Sequence, residues 1–200
     1  MPFQPAIDEP SNAWPSSNCD WPNTLAGTVK PRTVDKTQYP AKRIVETECL
    51  KLESAFPDEA LIVRIVEAAQ AGAQVAIVMN LVDDAQRLAR LLRARPEVEQ
   101  ASIEIDLFHA RFRFADRQEK EHACVKRYGR DGTRERGRIL VATQVVEQSL
   151  DLDFDWMLTQ ICPVDLLFQR LGRLHRHQRE SRPAGFESPR CTVLSVESDD

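Results

Sequence analysis

Two hundred residues, 42% hydrophobic and 29% charged, describe one ordinary folded domain or a small two-lobed one, not a disordered or fibrous chain. No run approaches the roughly 18 apolar residues that a membrane-spanning helix needs, and the start MPFQPAIDEPSNAW has neither a basic nor an apolar signal region. Five scattered cysteines (Cys19, Cys49, Cys124, Cys162, Cys191) form no CxxC pair, which argues against a disulfide framework or zinc ribbon and for reduced thiols in a cytoplasmic setting.

The net charge of −4 hides a segregation. Arg111–Arg138 carries ten Lys/Arg against five Asp/Glu, and Arg170–Arg190 carries six Arg against two Glu. Cations clustered this way in an acidic protein suggest a surface that faces phosphates. For the first segment the competing reading is an ordinary solvated helix face.

Residues 1–40 hold seven of the twelve prolines and read as an extended Pro-rich arm or linker, with Trp14 and Trp21 packing against something. From residue 41 short apolar runs alternate with helical segments. IVETECL (44–50) predicts a strand, and Pro57 to Ala71 a helix with Leu61, Ile62, Ile65 and Val66 on one face. QVAIVM (74–79) is a buried strand; Asp83 to Arg95 is a helix stopped by Pro96. SIEIDLF (102–108) is a strand, Asp116 to Tyr128 a helix, and RILVAT (138–143) a second buried strand. Trp156 to Cys162 is a strand, Pro163 to Leu171 a short helix, and CTVLSV (191–196) the last strand. Strands alternating with helices imply an α/β fold with a mostly parallel sheet covered on both faces. Ligands in such sheets gather at the carboxyl ends of the strands.

Several familiar sites are excluded. No G-x-G-x-x-G occurs. GTRERGRI (132–139) has phosphate-loop glycine spacing, but Arg138 and Ile139 stand where Lys and Ser/Thr are required, and it precedes a strand. Asp151, Asp153 and Asp155 imitate a calcium loop that lacks its glycine and its final glutamate. His175 and His177 are flanked by cations that would repel a metal, and no G-x-S-x-G elbow appears.

What remains is specific. VATQVVEQSLDLDFDWMLTQICPVDLLFQRLGRLHRH (141–177) runs from a buried strand through an acidic loop into an arginine-rich helix end. It resembles motifs V and VI in the second RecA-like domain of superfamily 2 helicases. More narrowly, it is similar to the CRISPR-associated helicase-nucleases of type I, Cascade-dependent systems. IVMNLVDDAQRL (77–88) and DLFHARFRFADRQEKE (106–121) resemble upstream segments of that family. The resemblance covers about residues 41–195 and is weak across the arm. It implies a second RecA-like (helicase C-terminal) domain over 41–200.

ATP hydrolysis spreads charge over the equatorial oxygens of the γ-phosphate, and an arginine finger there contributes about 10³–10⁵ in rate. The resemblance makes Arg173 and Arg176 the fingers, on one helical face if the helix continues, with Gly172 permitting close backbone approach. It makes Gln169 a contact to the same phosphate, and Asp151 a contact to the ribose or an orienter of a finger. Gln144, Glu147 and Gln148 would line the cleft, with Gln148 toward ATP and Gln144 toward DNA. Arg170 would bridge to an acidic residue of the partner domain, while Asp153 and Asp155 read as turn and capping residues. Thr143, at a strand's carboxyl end, is placed to hold a DNA phosphate. Asn80 sits in the equivalent place, and its alternative role is N-cap of the Asp83 helix. The resemblance puts His109 and Arg111 near the DNA backbone, although His109 also reads as an ordinary loop histidine; His122 reads as surface.

The family's Walker lysine, magnesium-binding acid box and histidine-aspartate nuclease residues do not occur in these 200 residues. The resemblance therefore implies ATP with Mg, the Mg ligands coming from the first RecA-like lobe. The implied partners are that lobe and the nuclease domain of the same enzyme, single-stranded DNA and the Cascade surveillance complex, with no membrane. The chain alone is expected to be inactive. A lobe of another superfamily 2 translocase and a stand-alone nucleic-acid-binding or regulatory module are the alternatives.

Overall fold

The computed structural model describes residues 44–147 and 150–196; the expected arm, its tryptophans and Gln148 lie outside the described residues. Six strands make one all-parallel sheet: β1 (Glu46–Leu52), β2 (Gln74–Val78), β3 (Glu104–Phe108), β4 (Arg138–Ala142), β5 (Trp156–Gln160) and β6 (Arg190–Val196). Their order across the sheet is β1-β6-β5-β2-β4-β3. The helices are α1 (Glu59–Gln70), α2 (Val82–Arg93), α3 (Pro96–Gln100), α4 (Phe114–Tyr128) and α5 (Val164–Leu171).

Covering both faces explains why the central strands are apolar without alternation. Every residue of β2, β4 and β5 is buried. Val75, Ile77, Ile139, Val141 and Leu158 join α1, α2 and α3 in one core. Ala76, Val78, Leu140, Ala142 and Met157 join Cys124 and Tyr128 of α4 in the other, with Leu167 and Leu171 of α5 at its margin. The loop before β5 closes this second core through Leu152 and Phe154. Edge strand β1 is mostly exposed and carries Glu46, Glu48 and Lys51, charges that discourage pairing with another chain.

Asp58, not Pro57, starts α1: its carboxylate accepts from the Leu61 amide at 2.8 Å. Pro96 plays two parts. It blocks continuation of α2 and then serves as first residue of α3, a short helix that periodicity alone did not predict. The free thiols include buried Cys124 and Cys191, whose pKa values burial pushes up to about 12. No helix among the described residues is long and apolar enough to cross a membrane.

Gly137 lies where the loop into β4 passes the end of α1, and a Cβ there would stand 1.8 Å from the Ala69 carbonyl oxygen. Gly137→Ala is expected to lower unfolding free energy by about 1–3 kcal/mol through overpacking. Urea unfolding reads this as a lower midpoint at constant slope; an unchanged midpoint contradicts the close contact.

Candidate nucleotide and nucleic-acid site

The expected site residues fall into two groups. The first gathers at the carboxyl ends of the strands. The Asn80 amide donates to Gln160 Oε1 at 2.5 Å, Asn80 Nδ2 donates to the Ile161 carbonyl at 2.9 Å, and Gln144 Nε2 donates to the Asn80 carbonyl at 3.3 Å. Asn80 thus fastens β2 to β5 and does not cap α2. Leu81 holds the N-cap position, with no side-chain hydrogen bond. Thr143 is buried, and Gln144 opens a single 3₁₀ turn, Gln144–Glu147. Gln169 comes here too: with Ala110, Gln144, Val145 and Glu147 it lines an open cavity of about 320 Å³.

His109 and Arg111 follow β3 to the same edge, in unlike settings. His109 is only 3% exposed, stacked on Phe112 with ring centroids 4.2 Å apart, and its Nε2 lies 3.1 Å from Gln86 Nε2. That is a packed histidine, and burial, aided by the Arg111 charge, holds its pKa below the ordinary value. Arg111 is exposed and meets Asp83 at 2.5 Å, a pair that leaves its guanidinium accessible. His122 is exposed, as expected.

The second group stands toward the amino-terminal edge. Helix α5 ends at Leu171 with Gly172 as its C-cap, so Arg173 and Arg176 do not share a helical face. They ride on a loop whose Leu174 bridges Phe154, and His175 adopts φ +43, a left-handed turn that ends any helical path. Nothing within this domain requires glycine at 172: its φ is −62, and a Cβ would lie 3.3 Å from the Gln169 carbonyl. Arg176 Nε donates to Asp151 Oδ1 at 2.6 Å, yet its side chain keeps 40% exposure. His177 Nε2 lies 3.0 Å from the other Asp151 oxygen. Arg173 is 8% exposed, with Nη2 3.3 Å from the Glu147 carbonyl; burial first, then the Arg176 charge, draws its pKa down.

Arg170 does not reach out to another domain. It is fully buried, 2.6 Å from Glu147 Oε1, and it donates to Thr159 Oγ1 and, at 3.3 Å, to the Gln160 carbonyl. This charged pair locks the 3₁₀ turn and α5 onto β5. Asp153 and Asp155 likewise are neither turn nor capping residues. Both have no exposure: Asp153 faces Arg134, Arg179 and Arg182 at 2.9–3.2 Å, and Asp155 faces Arg134 and Arg182 at 2.7 Å. Burial pushes the Asp153 carboxyl up, but the three guanidiniums outweigh it and hold it below the usual range. Many cations that the sequence placed on a phosphate-facing surface therefore turn inward. Arg138 on Glu104 adds to them.

A family model described as CRISPR-associated nuclease/helicase Cas3, C-terminal, matches residues 71–179. The chain belongs to this Cas3 C-terminal family. The endonuclease/helicase Cas3 of Escherichia coli strain K12 is 54% identical over 157 residues, which is 78% of this chain and 17% of that protein. The crystal structure of T. fusca Cas3-ATP superposes with a TM-score of 0.72 at 31% identity, covering 86% of this chain and 20% of that one. A CRISPR RNA-guided surveillance complex in a pre-nicking state contains a chain 31% identical, with a TM-score of 0.64 over 78% of this chain and 19% of that one. The fold is RecA-like, and the chain spans less than a fifth of each curated relative.

Two histidines set a pH dependence. Burial, then the Arg182 charge, holds His175 below its ordinary pKa, as burial does for His109. With folded values depressed, their contribution is present above the unfolded value of about 6.5 and is lost as pH falls toward the lower folded values. Asp153 adds a second loss at lower pH, through its depressed carboxylate range. Melting temperature is expected to fall steadily from pH 7.5 to pH 5; a rise over that window contradicts lowered imidazole values.

Proposed function

We propose that this chain is the C-terminal RecA-like half of an ATP-dependent single-stranded DNA translocase or helicase acting in CRISPR interference. Arg173 and Arg176 serve as arginine fingers on ATP held by the first RecA-like lobe. The observation that carries the reading is Arg176, clamped by Asp151 at 2.6 Å while 40% of its side chain faces outward. A guanidinium held by one carboxylate on one side is aimed, and its remaining N–H groups stay available to phosphate oxygens.

In hydrolysis water attacks the γ-phosphorus and ADP leaves. Arg176 and Arg173 supply fixed positive charge where negative charge spreads over the transferring oxygens. Arg173 joins by exchanging its long 3.3 Å contact with the Glu147 carbonyl for a charged phosphate oxygen. Asp151 orients Arg176. Gly172 begins the finger loop, and Gln148 belongs to the ATP side of the cleft. Gln169 lies on the cavity shared with Gln144, between the nucleotide and DNA ends. The Mg ligands belong to the first RecA-like lobe; among the described residues here no group of three or more metal-capable side chains occurs.

Single-stranded DNA runs along the carboxyl edge, where Thr143, Gln144, Asn80, His109 and Arg111 gather. Contacts there grip phosphate and sugar, giving sequence-independent and salt-sensitive binding. Arg111 carries charge to that edge, while buried Thr143 and His109 shape it. The other partners are the nuclease domain of the same enzyme and the Cascade surveillance complex, by likeness to the chain in the pre-nicking assembly. Half an ATP site and half a DNA track give no turnover alone.

The test is a chimera of the Escherichia coli relative whose matching segment is replaced by residues 44–196. Single-stranded-DNA-stimulated ATPase is expected to be restored. It is expected to fall at least about 10³-fold with Arg173→Ala plus Arg176→Ala. Turnover that survives both substitutions overturns the finger assignment.

A further inference from the structure

The loop that carries Arg173 and Arg176 is not a helix, so something other than helical hydrogen bonds fixes its shape. Backbone pairing supplies part: the Phe154 amide donates to the Arg173 carbonyl at 2.9 Å, and the His175 amide donates to the Phe154 carbonyl at 3.0 Å. The next amide, that of Arg176, is taken by a side chain: it donates to Asp153 Oδ1 at 3.0 Å. From the other oxygen, Asp153 Oδ2 accepts from Arg179 Nε at 2.9 Å and from Arg134 Nη2 at 3.1 Å. Arg182 reaches both Asp153 oxygens at 3.1 and 3.2 Å, and also donates to the His177 carbonyl at 2.7 Å. The finger loop is therefore held at three successive points, all of them fastened to Asp153 or its neighbour Phe154.

The network has a second end. Arg179 also donates to the carbonyls of Gly129 at 2.9 Å and Arg130 at 2.7 Å, where α4 stops. Arg134 comes from the loop that follows α4 and joins Asp153 to Asp155. Asp155 accepts from the Gln74 amide at 2.7 Å, which pins the whole cluster to the first residue of β2. A buried carboxylate with three guanidinium partners resists displacement, because moving it would strand several buried charges at once.

We infer that Asp153 is a positioning residue for the ATPase reaction, setting the register of the finger loop through the Arg176 amide and its clasp by Arg179 and Arg182. This rests on the finger assignment proposed above. Fingers act on the transition state, so a loop displaced by about 1 Å costs on the order of 100-fold in kcat while ground-state ATP binding is little changed.

The experiment uses the intact, full-length chimera and compares Asp153→Asn and Arg179→Gln, each alone and combined with Arg173→Ala plus Arg176→Ala. Arg179→Gln is the gentler change, since Arg134 and Arg182 still balance the two carboxylates; it is read alone if Asp153→Asn does not fold. With finger arginines present, kcat is expected to fall about 10–100-fold for Asp153→Asn and several-fold for Arg179→Gln, with KM for ATP within about two-fold. In the background lacking both finger arginines, neither substitution is expected to lower the residual kcat further. Equal losses in both backgrounds, a loss confined to KM, or an unchanged kcat for the folded variants overturns the inference. Finger substitutions that leave kcat intact overturn instead the reading beneath it.

Discussion

Two carboxylates with no access to water, Asp153 and Asp155, impose the constraint from which much of this domain follows. An unpaired buried charge is costly enough that its partners must be supplied from somewhere. Here they arrive from three stretches of chain: Arg134 between α4 and β4, Arg179 and Arg182 beyond α5, and the amides of Gln74 and Arg176. The cluster joins the start of the central strands to the end of α4 and to the loop bearing the outward arginine. Arg170 and Glu147 do similar work nearer the opposite edge, tying α5 to the 3₁₀ turn after β4. Between these two buried ionic joints, the strand-to-loop segments around Arg173 and Arg176 have little freedom left.

That arrangement separates two kinds of surface. At the carboxyl edge, Asn80, Gln144 and Gln160 form a chain of amide hydrogen bonds beside an open cavity. At the amino-terminal side, Asp151 presents Arg176. Arg173 and Glu147 stand between them, so a shift of the 3₁₀ turn reaches both. On the proposed function, such a domain relates a DNA edge to arginines facing a nucleotide through rigid packed contacts and not through a flexible tether.

Much of the fold was legible because it is written in local pattern. Uninterrupted apolar runs such as VAIV and ILVA are what a strand covered on both faces requires, and α1 and α2 each carry one apolar stripe. The short helix opening at Pro96 escaped because proline after a helix reads as a stop, although it is equally a first residue. The site was legible only as residue types in order. Asp151 and Arg176 were named together, but the ionic clusters join residues some 20 or more positions apart, and charge counts do not distinguish an inward guanidinium from an outward one. Arg170, Asp153 and Asp155 were misplaced for that reason. The continuation of α5 failed at the left-handed His175, a conformation that spacing does not encode.

The most direct measurement is a structure of the intact protein with single-stranded DNA and ADP–aluminium fluoride, read at Arg173 and Arg176. Both guanidiniums should lie within about 3 Å of the fluoride ligands, Arg176 still bonded to Asp151 and Arg173 released from the Glu147 carbonyl. Both side chains remaining on their own domain, out of hydrogen-bond reach of the nucleotide, would show that some other group stabilises the transferring phosphate.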